Sequence, residues 1–449
     1  MPMEQAAQTA PILTPADARP VDRPERITAI DSLRGFALLG ILLMNIVGMG
    51  LYGSAYDDPT VTGGATGANL GVWTVMHVLA EGKMRCLFSM VFGASVLLLT
   101  GRLADRRDAA DIYYRRTLWL LLFGLVHGFL LWSGDILYPY ALCGLALYPF
   151  RNLRARTLLI LGSIMLIGNS ALYIKLGFDR RAMIEDGRAA ETMKNAGRKL
   201  TDTQQEALTS YERWHKRHYP DAAALNKMNQ EWRGSPLQVI GMRAQSVMPW
   251  HSQPYYGAES WDIFSMMFIG MALMKYGVLA AARSARFYGI AALVGYGIGI
   301  PLNIATARII IASNFDPAVQ LFSMSTYDLG RLSVALGHLG LIMLLAKAQW
   351  LRGAMSSLGA VGQMAFSNYI FQSVVTAFLF TGYGFRMYGT LQRYQLYYVV
   401  VAIWIVQLIV SPIWLRHYRF GPLEWCWRSL TYWKRQPMRL TLSPEPAES

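Results

Sequence analysis

Apolar stretches long enough to cross a membrane recur along this 449-residue chain. That recurrence constrains the fold more than any other feature. A helix needs about 20 apolar residues to cross roughly 30 Å of hydrocarbon, and only helices or closed barrels satisfy the backbone inside lipid. Ten apolar runs are read, at about 33–51, 78–100, 117–133, 136–150, 157–174, 260–280, 287–312, 328–346, 358–382 and 395–415. The fourth is short, and Pro301 interrupts the seventh. Composition agrees with this reading. With 53% hydrophobic and 16% charged residues, the chain is too apolar to be disordered and is ill suited to be soluble. Its 13 Trp and 24 Tyr suit membrane–water interfaces. The expected fold is an all-α, polytopic integral membrane bundle of about ten transmembrane helices with one large external helical loop.

The net charge of +14 leaves a nucleic-acid partner to be weighed. The placement of Lys and Arg argues against it. Four lie in the first 34 residues (Arg19, Arg23, Arg26, Arg34), none in 52–72, five in 101–116, none in 134–135 and three in 151–156. Further on, 275–286 holds three, 313–327 none, 347–357 two, 383–394 two, and the tail after 415 six. This near-alternation is the positive-inside pattern, which predicts both termini in the cytoplasm. The basic excess is then a topology signal, and no nucleic-acid partner is expected. Residues 1–30 read as a disordered cytoplasmic tail and 31–174 as an N-terminal membrane region. The loop 175–257 reads as amphipathic helix from about 178 to 232, then as irregular chain to Tyr256. Residues 258–435 read as a second membrane region and 436–449 as a cytoplasmic tail. The three cysteines, Cys86, Cys143 and Cys426, are far apart, and no metal site is expected.

Ionisable groups inside spans point to function, because burying them in lipid costs about 2.5–3.5 kcal/mol on insertion scales. At the entrance of the first span, Asp31 can cap the helix and pair with Arg34 three residues on. Asn45 follows Arg34 on the same face, about 16 Å deeper. A carboxamide among Leu, Met and Ile needs a partner, and a helix–helix hydrogen bond is the plain alternative to a ligand. At the second span, His77, Glu81 and Arg85 stand at successive i,i+4 positions with Lys83 between them. They form either a self-neutralising ladder or a site in which His77, with an ordinary pKa of about 6.5, is a general base. His127 and Asp135 border the third span and can line the same cavity; a buried histidine bonded to a backbone carbonyl is an equal alternative. Arg331 and His338 share a face of the eighth span, with Asp328 in reach of Arg331. The tail from Phe420 to Tyr432, rich in Trp and Arg, reads as an interfacial helix with Arg428 towards phosphate.

Four stretches carry a family resemblance. They are Arg26 to Asn45, Glu81 to Gly93, the run Gly362-Gln363-Met364-Ala365-Phe366-Ser367-Asn368-Tyr369, and the tail just described. Together they resemble the YeiB-like bacterial membrane proteins, whose C-terminal end carries the domain of unknown function 418. That family is similar in turn to a transmembrane acyltransferase superfamily that includes the heparan-α-glucosaminide N-acetyltransferases. Asp31, Arg34, Gly35 and Asn45 match the acetyltransferase pattern in spacing. His77 and Gly82 match its second part, with Glu81 where that branch has Asn. The resemblance implies an acyl-transfer pair of His77 and Asn45, with acyl-CoA (acetyl-CoA) as donor.

The expected function is therefore transfer of an acyl group from cytoplasmic acyl-CoA to a hydroxyl or amine at the outer face of the bacterial inner membrane. His77, Asn45 and Glu81 would be catalytic, with His127, Asp135, Lys83 and Arg85 on the substrate. Arg34 and Asp31 would meet the CoA. The partners expected are the lipid bilayer and a small-molecule or glycan acceptor, and a homo-oligomer is compatible with this reading. The competing reading is a transporter or permease for a small or lipidic substrate. Its buried His, Glu, Lys and Arg would form a relay, and Pro301 behind Gly295, Gly297 and Gly299 would mark a broken helix.

Overall fold

The computed structural model describes residues 28–250, 253–348 and 351–440. The expected tails 1–30 and 436–449 fall largely outside them. The described residues are overwhelmingly helical, and the one β-type pairing among them is an isolated bridge between Tyr418 and Arg439. The first half holds α1 (Thr28–Gly50), α2 (Gly67–Leu79), α3 (Lys83–Arg102), α4 (Ala109–Leu130), α5 (Leu137–Leu147) and α6 (Ala155–Asn195). The loop contributes α7 (Asp202–His218), α8 (Ala222–Trp232) and α9 (Pro236–Trp250). The second half holds α10 (Gln253–Lys275), α11 (Ala285–Ala312), α12 (Pro317–Ser323), α13 (Tyr327–Ala348), α14 (Arg352–Gln363), α15 (Ala365–Phe380), α16 (Arg393–His417) and α17 (Pro422–Tyr432).

Six helical runs among the described residues are long and apolar enough to cross a membrane: α1, α2 with α3, α6, α11, α12 with α13, and α16. The chain is a polytopic helical membrane protein. Helix α1 is its axis, with Leu33, Ala37, Leu38, Leu42, Ile46 and Val47 fully enclosed. Lipid tails are as apolar as leucine, so close backbone packing replaces the hydrophobic effect between such helices. Glycine supplies it. A Cβ on Gly35 would overlap the carbonyl of Leu358 on α14, and one on Gly362 would overlap the carbonyl of Asp31. Gly93 of α3 and Gly270 of α10 meet each other's helices in the same way, against Met267 and Met90.

Four sequence expectations change. Helix α6 runs unbroken for 41 residues, so the fifth span and the start of the loop are one rod of about 60 Å. The stretch expected to be irregular is helical instead, as α9, which begins at Pro236 where a missing N–H costs nothing. Helix α11 continues through Pro301. The ring meets the carbonyl of Gly297, one turn before, and Gly297 borders open space into which that carbonyl can tilt. The ninth span is two helices, α14 and α15, divided at Met364.

That division has a partner in the tail. Glu424 of α17 is buried, and its Oε1 accepts from the N–H groups of Phe366 (2.7 Å) and Ser367 (3.0 Å). Its Oε2 takes the Ser367 hydroxyl. A carboxylate therefore caps α15 from outside, where helix N–H groups lack partners and the helix end is positive. Helix α17 is held in turn by α4. The Trp427 indole donates to the Arg116 carbonyl (2.8 Å), and the Arg116 guanidinium lies 4.2 Å over the Trp427 ring. Arg428, expected towards lipid phosphate, lies 4.7 Å over the Phe420 ring. The loop is also fastened. The buried Arg243 of α9 donates to the Leu130 carbonyl at the end of α4, and Arg233 donates to the Tyr388 carbonyl. Replacing Glu424 by Ala should lower unfolding stability by about 2 kcal/mol, because two buried N–H groups lose a charged acceptor. Thermal unfolding in detergent reads this as a lowered midpoint, and Glu424→Gln should lose less.

Candidate functional site

The segment between α2 and α3 does not continue the helix, and this reshapes the expected ladder of charges. Gly82 takes φ +68, a left-handed conformation open to glycine. The chain turns through Ala80, Glu81 and Gly82 before α3 begins. His77, Glu81 and Arg85 therefore do not share one helical face. Lys83, fully buried, donates back to the His77 carbonyl (2.6 Å) and across to Asn303 Oδ1 on α11 (2.7 Å). A cation at the open carbonyl end of α2 is favoured by the helix dipole.

The turn leaves His77 and Glu81 on a cavity of about 110 Å³ bounded by α1, α2, α11, the 323–330 segment and α16. Met44, Tyr56, Asp57, Trp73, His77, Glu81, Asn303, Tyr327 and Arg393 are among its walls. The His77 ring stacks on Trp73, with centroids 4.9 Å apart. No described residue takes a hydrogen bond from or gives one to its nitrogens. Glu81 accepts the Tyr327 hydroxyl at 2.9 Å, and its second oxygen is buried with no partner. Arg393 is buried, donates to the Ala55 carbonyl, and keeps an unpartnered Nε. Asp57 belongs to the loop between α1 and α2. It is exposed at the rim of the cavity, and desolvation by the nearby protein, helped by the Glu81 charge, pushes its carboxyl up to about 6.

Behind this wall lies a chain of ion pairs. Arg85 reaches Glu259 (3.3 Å) and Asp262 (3.2 Å). Arg331 also binds Asp262, and binds Asp328 at 2.6 Å. Asp328 accepts from Ser170 of α6 (2.6 Å). Arg85 and Lys83 thus hold helices together, and neither is among the residues that wall the cavity. His338 is a satisfied core histidine, bonded to the Leu79 carbonyl (2.9 Å) and the Tyr296 hydroxyl (2.8 Å).

The remaining expected residues lie elsewhere. Arg34 binds Asp31 (2.7 Å), Ser95 Oγ (3.2 Å) and the Gly362 carbonyl (3.4 Å), at the opposite end of α1. Neither Arg34 nor Asn45 lines the cavity; Met44 does. His127 and Asp135 form a separate centre. His127 Nδ1 is 2.7 Å from Asp135 Oδ1, and Nε2 is 2.8 Å from the Ser373 hydroxyl on α15. Ser373 had no signal in the sequence, because it lies 246 residues from its histidine. Asp57, Tyr327 and Arg393 were likewise passed over. Two of them border spans whose ends looked like ordinary interface.

The fold and its buried ion chain define a polytopic helical membrane protein with two polar centres. Residues 273–434 match the family described as "Protein of unknown function (DUF418)". The chain is 30% identical over 414 residues to the uncharacterized protein YeiB of Escherichia coli (strain K12), covering 91% of this chain and 96% of that one. It is 27% identical over 429 residues to the uncharacterized protein YxaH of Bacillus subtilis (strain 168), covering 92% and 96%. It belongs to the YeiB-like DUF418 family of membrane proteins.

The raised Asp57 carboxyl has a consequence for pH. Between its ordinary value near 3.8 and about 6, the folded protein binds a proton that the unfolded chain has lost. Stability should therefore fall as pH rises across that window, and Asp57→Asn should flatten the slope. Chemical unfolding at a series of pH values measures this.

Proposed function

We propose that this protein is a transmembrane acyltransferase, moving an acyl group, acetyl in the simplest case, from cytoplasmic acyl-CoA to a hydroxyl or amine acceptor at the outer face of the membrane. The observation that carries this reading is the His77 imidazole on the cavity, hydrogen-bonded to no described residue, beside a Glu81 oxygen with no partner among the described residues. A scaffold without turnover would have paired these groups. An acceptor in the cavity would lose its proton to His77, and Glu81 would hold the acceptor's other polar hydrogen. Donors for a developing oxyanion would come from the cavity wall, where Arg393 Nε has no other task. At the far end of α1, Arg34 is 22% exposed at its side chain, with Arg116 in electrostatic reach. Two guanidinium groups there suit the phosphates of CoA. The positive-inside pattern supports a cytoplasmic location for that end and both termini, with the cavity towards the outer face of a bacterial inner membrane.

A second reading is favoured by the buried ion chain through Arg85, Asp262, Arg331 and Asp328. Such a chain beside a cavity suits a transporter of a small or lipidic substrate. The two readings part in one experiment. Purified protein in vesicles with labelled acetyl-CoA inside and amine or alcohol acceptors outside should yield acylated acceptor. His77→Ala should reduce the rate about a hundredfold or more. Absence of transfer, hydrolysis and CoA binding sinks the enzyme, and counterflow that survives His77→Ala establishes the transporter.

A further inference from the structure

The geometry points to a nucleophilic triad formed by Ser373, His127 and Asp135, which carries the acyl group as an ester on Ser373. This inference takes its acyl donor from the function proposed above and adds a covalent intermediate at a second centre.

Three separate elements converge on it. His127 lies in the last turn of α4, Asp135 in the turn before α5, and Ser373 in the middle of α15. A carboxylate can only accept, so His127 Nδ1 carries the proton that lies 2.7 Å from Asp135 Oδ1. Nε2 is then an acceptor, 2.8 Å from Ser373 Oγ. The backbone carbonyl of Tyr369 competes for that hydroxyl at 3.4 Å, a weaker bond. Asp135 is itself fixed. Its Oδ2 accepts from the Tyr138 N–H at 2.7 Å, and the Tyr369 ring lies 4.9 Å from His127. Nucleophile, base and orienting carboxylate therefore stand in the relation that acyl transfer through serine requires. The core histidine His338 pairs a backbone carbonyl with a phenol; His127 differs in pairing a carboxylate on one nitrogen with an aliphatic hydroxyl on the other.

Two donors with no partner among the described residues lie on the elements that surround it. The indole N–H of Trp132 is buried with no acceptor. Its backbone N–H bonds the His127 carbonyl, and its ring faces Gly48 of α1. Helix α1 runs parallel to α14 and α15 in succession, since Gly35 meets Gly362 of α14, and Met49 and Gly50 meet Thr376 and Phe380 of α15. One turn before Met49 is Asn45, and one turn before Thr376 are Gln372 and Ser373. Asn45 therefore stands level with Ser373, and its carboxamide is engaged by no described residue. On the outward side, Val126 and Leu130 of α4 and Val374 of α15 are 49%, 43% and 46% exposed. The triad is thus one residue behind the lipid-facing surface, on the route an apolar acyl chain would take.

The step balances without a further reactant. Ser373 Oγ attacks the acyl carbonyl carbon while its proton passes to His127 Nε2. The C–S bond of the thioester breaks, and the proton leaves with the thiol. An acceptor that attacks the acyl-serine gives its proton to His127, and Ser373 Oγ recovers it; on this route His127 does at the triad what His77 does for an acceptor held in the cavity. Asp135 orients the imidazole throughout.

The test is labelling of the full-length protein in detergent by an alkyl fluorophosphonate, which needs no acetyl-CoA. The adduct should map to Ser373 by peptide mass spectrometry and vanish in Ser373→Ala. His127→Ala should slow it about a thousandfold, and Asp135→Asn should slow it with the thermal midpoint unchanged. His127-dependent labelling of Ser373 without acetyl transfer upholds the triad and overturns the CoA donor. Acetyl transfer that proceeds at the normal rate in folded Ser373→Ala, with no adduct on Ser373, overturns the triad and leaves the acyltransferase reading standing.

Discussion

The buried carboxylate of Asp262 is the point on which the bundle depends. An isolated charge at that depth is costly, and it persists because Arg85 and Arg331 meet it from two other helices. Asp328 and Ser170 extend the chain to α6. Removing one member would strand the others, so the network fixes which of α3, α6, α10 and α13 can be neighbours. Glycine then sets how near they come. Gly93 and Gly270 let α3 and α10 touch backbone to backbone, and Gly35 and Gly362 do the same for α1 and α14. Charge selects the partners, and small residues close the distance.

Much of the fold was legible in the sequence because lipid imposes a simple rule on length and polarity. The apolar runs, the buried cation Lys83, the half-buried Arg85, the Arg331–Asp328 pair and the Asp31–Arg34 pair were legible from the sequence alone. What failed was whatever depends on a break. The ladder of His77, Glu81 and Arg85 presumed an unbroken helix, and a single left-handed glycine at 82 separates its members. Pro301 was expected to interrupt α11 and does not; the helix runs on past it to Ala312. The split at Met364 was hidden because the capping carboxylate, Glu424, comes from nearly sixty residues further on.

The candidate site was half legible for the same reason. His77 and Glu81 were visible as ionisable groups in an apolar setting. Asp57, Tyr327 and Arg393 reach the cavity from loops and helix ends whose approach only tertiary packing decides. Asn45 was expected beside His77. The register of α1 against α15 sets it instead at the level of Ser373. Residues that seemed to belong to one polar centre divide between two, and α1 passes both.

The fastening of the loop bears on the fate of any reactive ester formed beneath it. Arg243 donates to the Leu130 carbonyl, and the Tyr383 hydroxyl donates to the same oxygen at 2.7 Å. Arg243 also lies 4.9 Å over the Tyr383 ring and 5.7 Å over Trp232. The last turn of α4 is therefore roofed by aromatic rings and a buried guanidinium. Bulk water must part that seam before it reaches the centre below. For the acyl-serine proposed above, such a roof would mean that hydrolysis need not be outrun by speed, because the competing water would be kept out by construction.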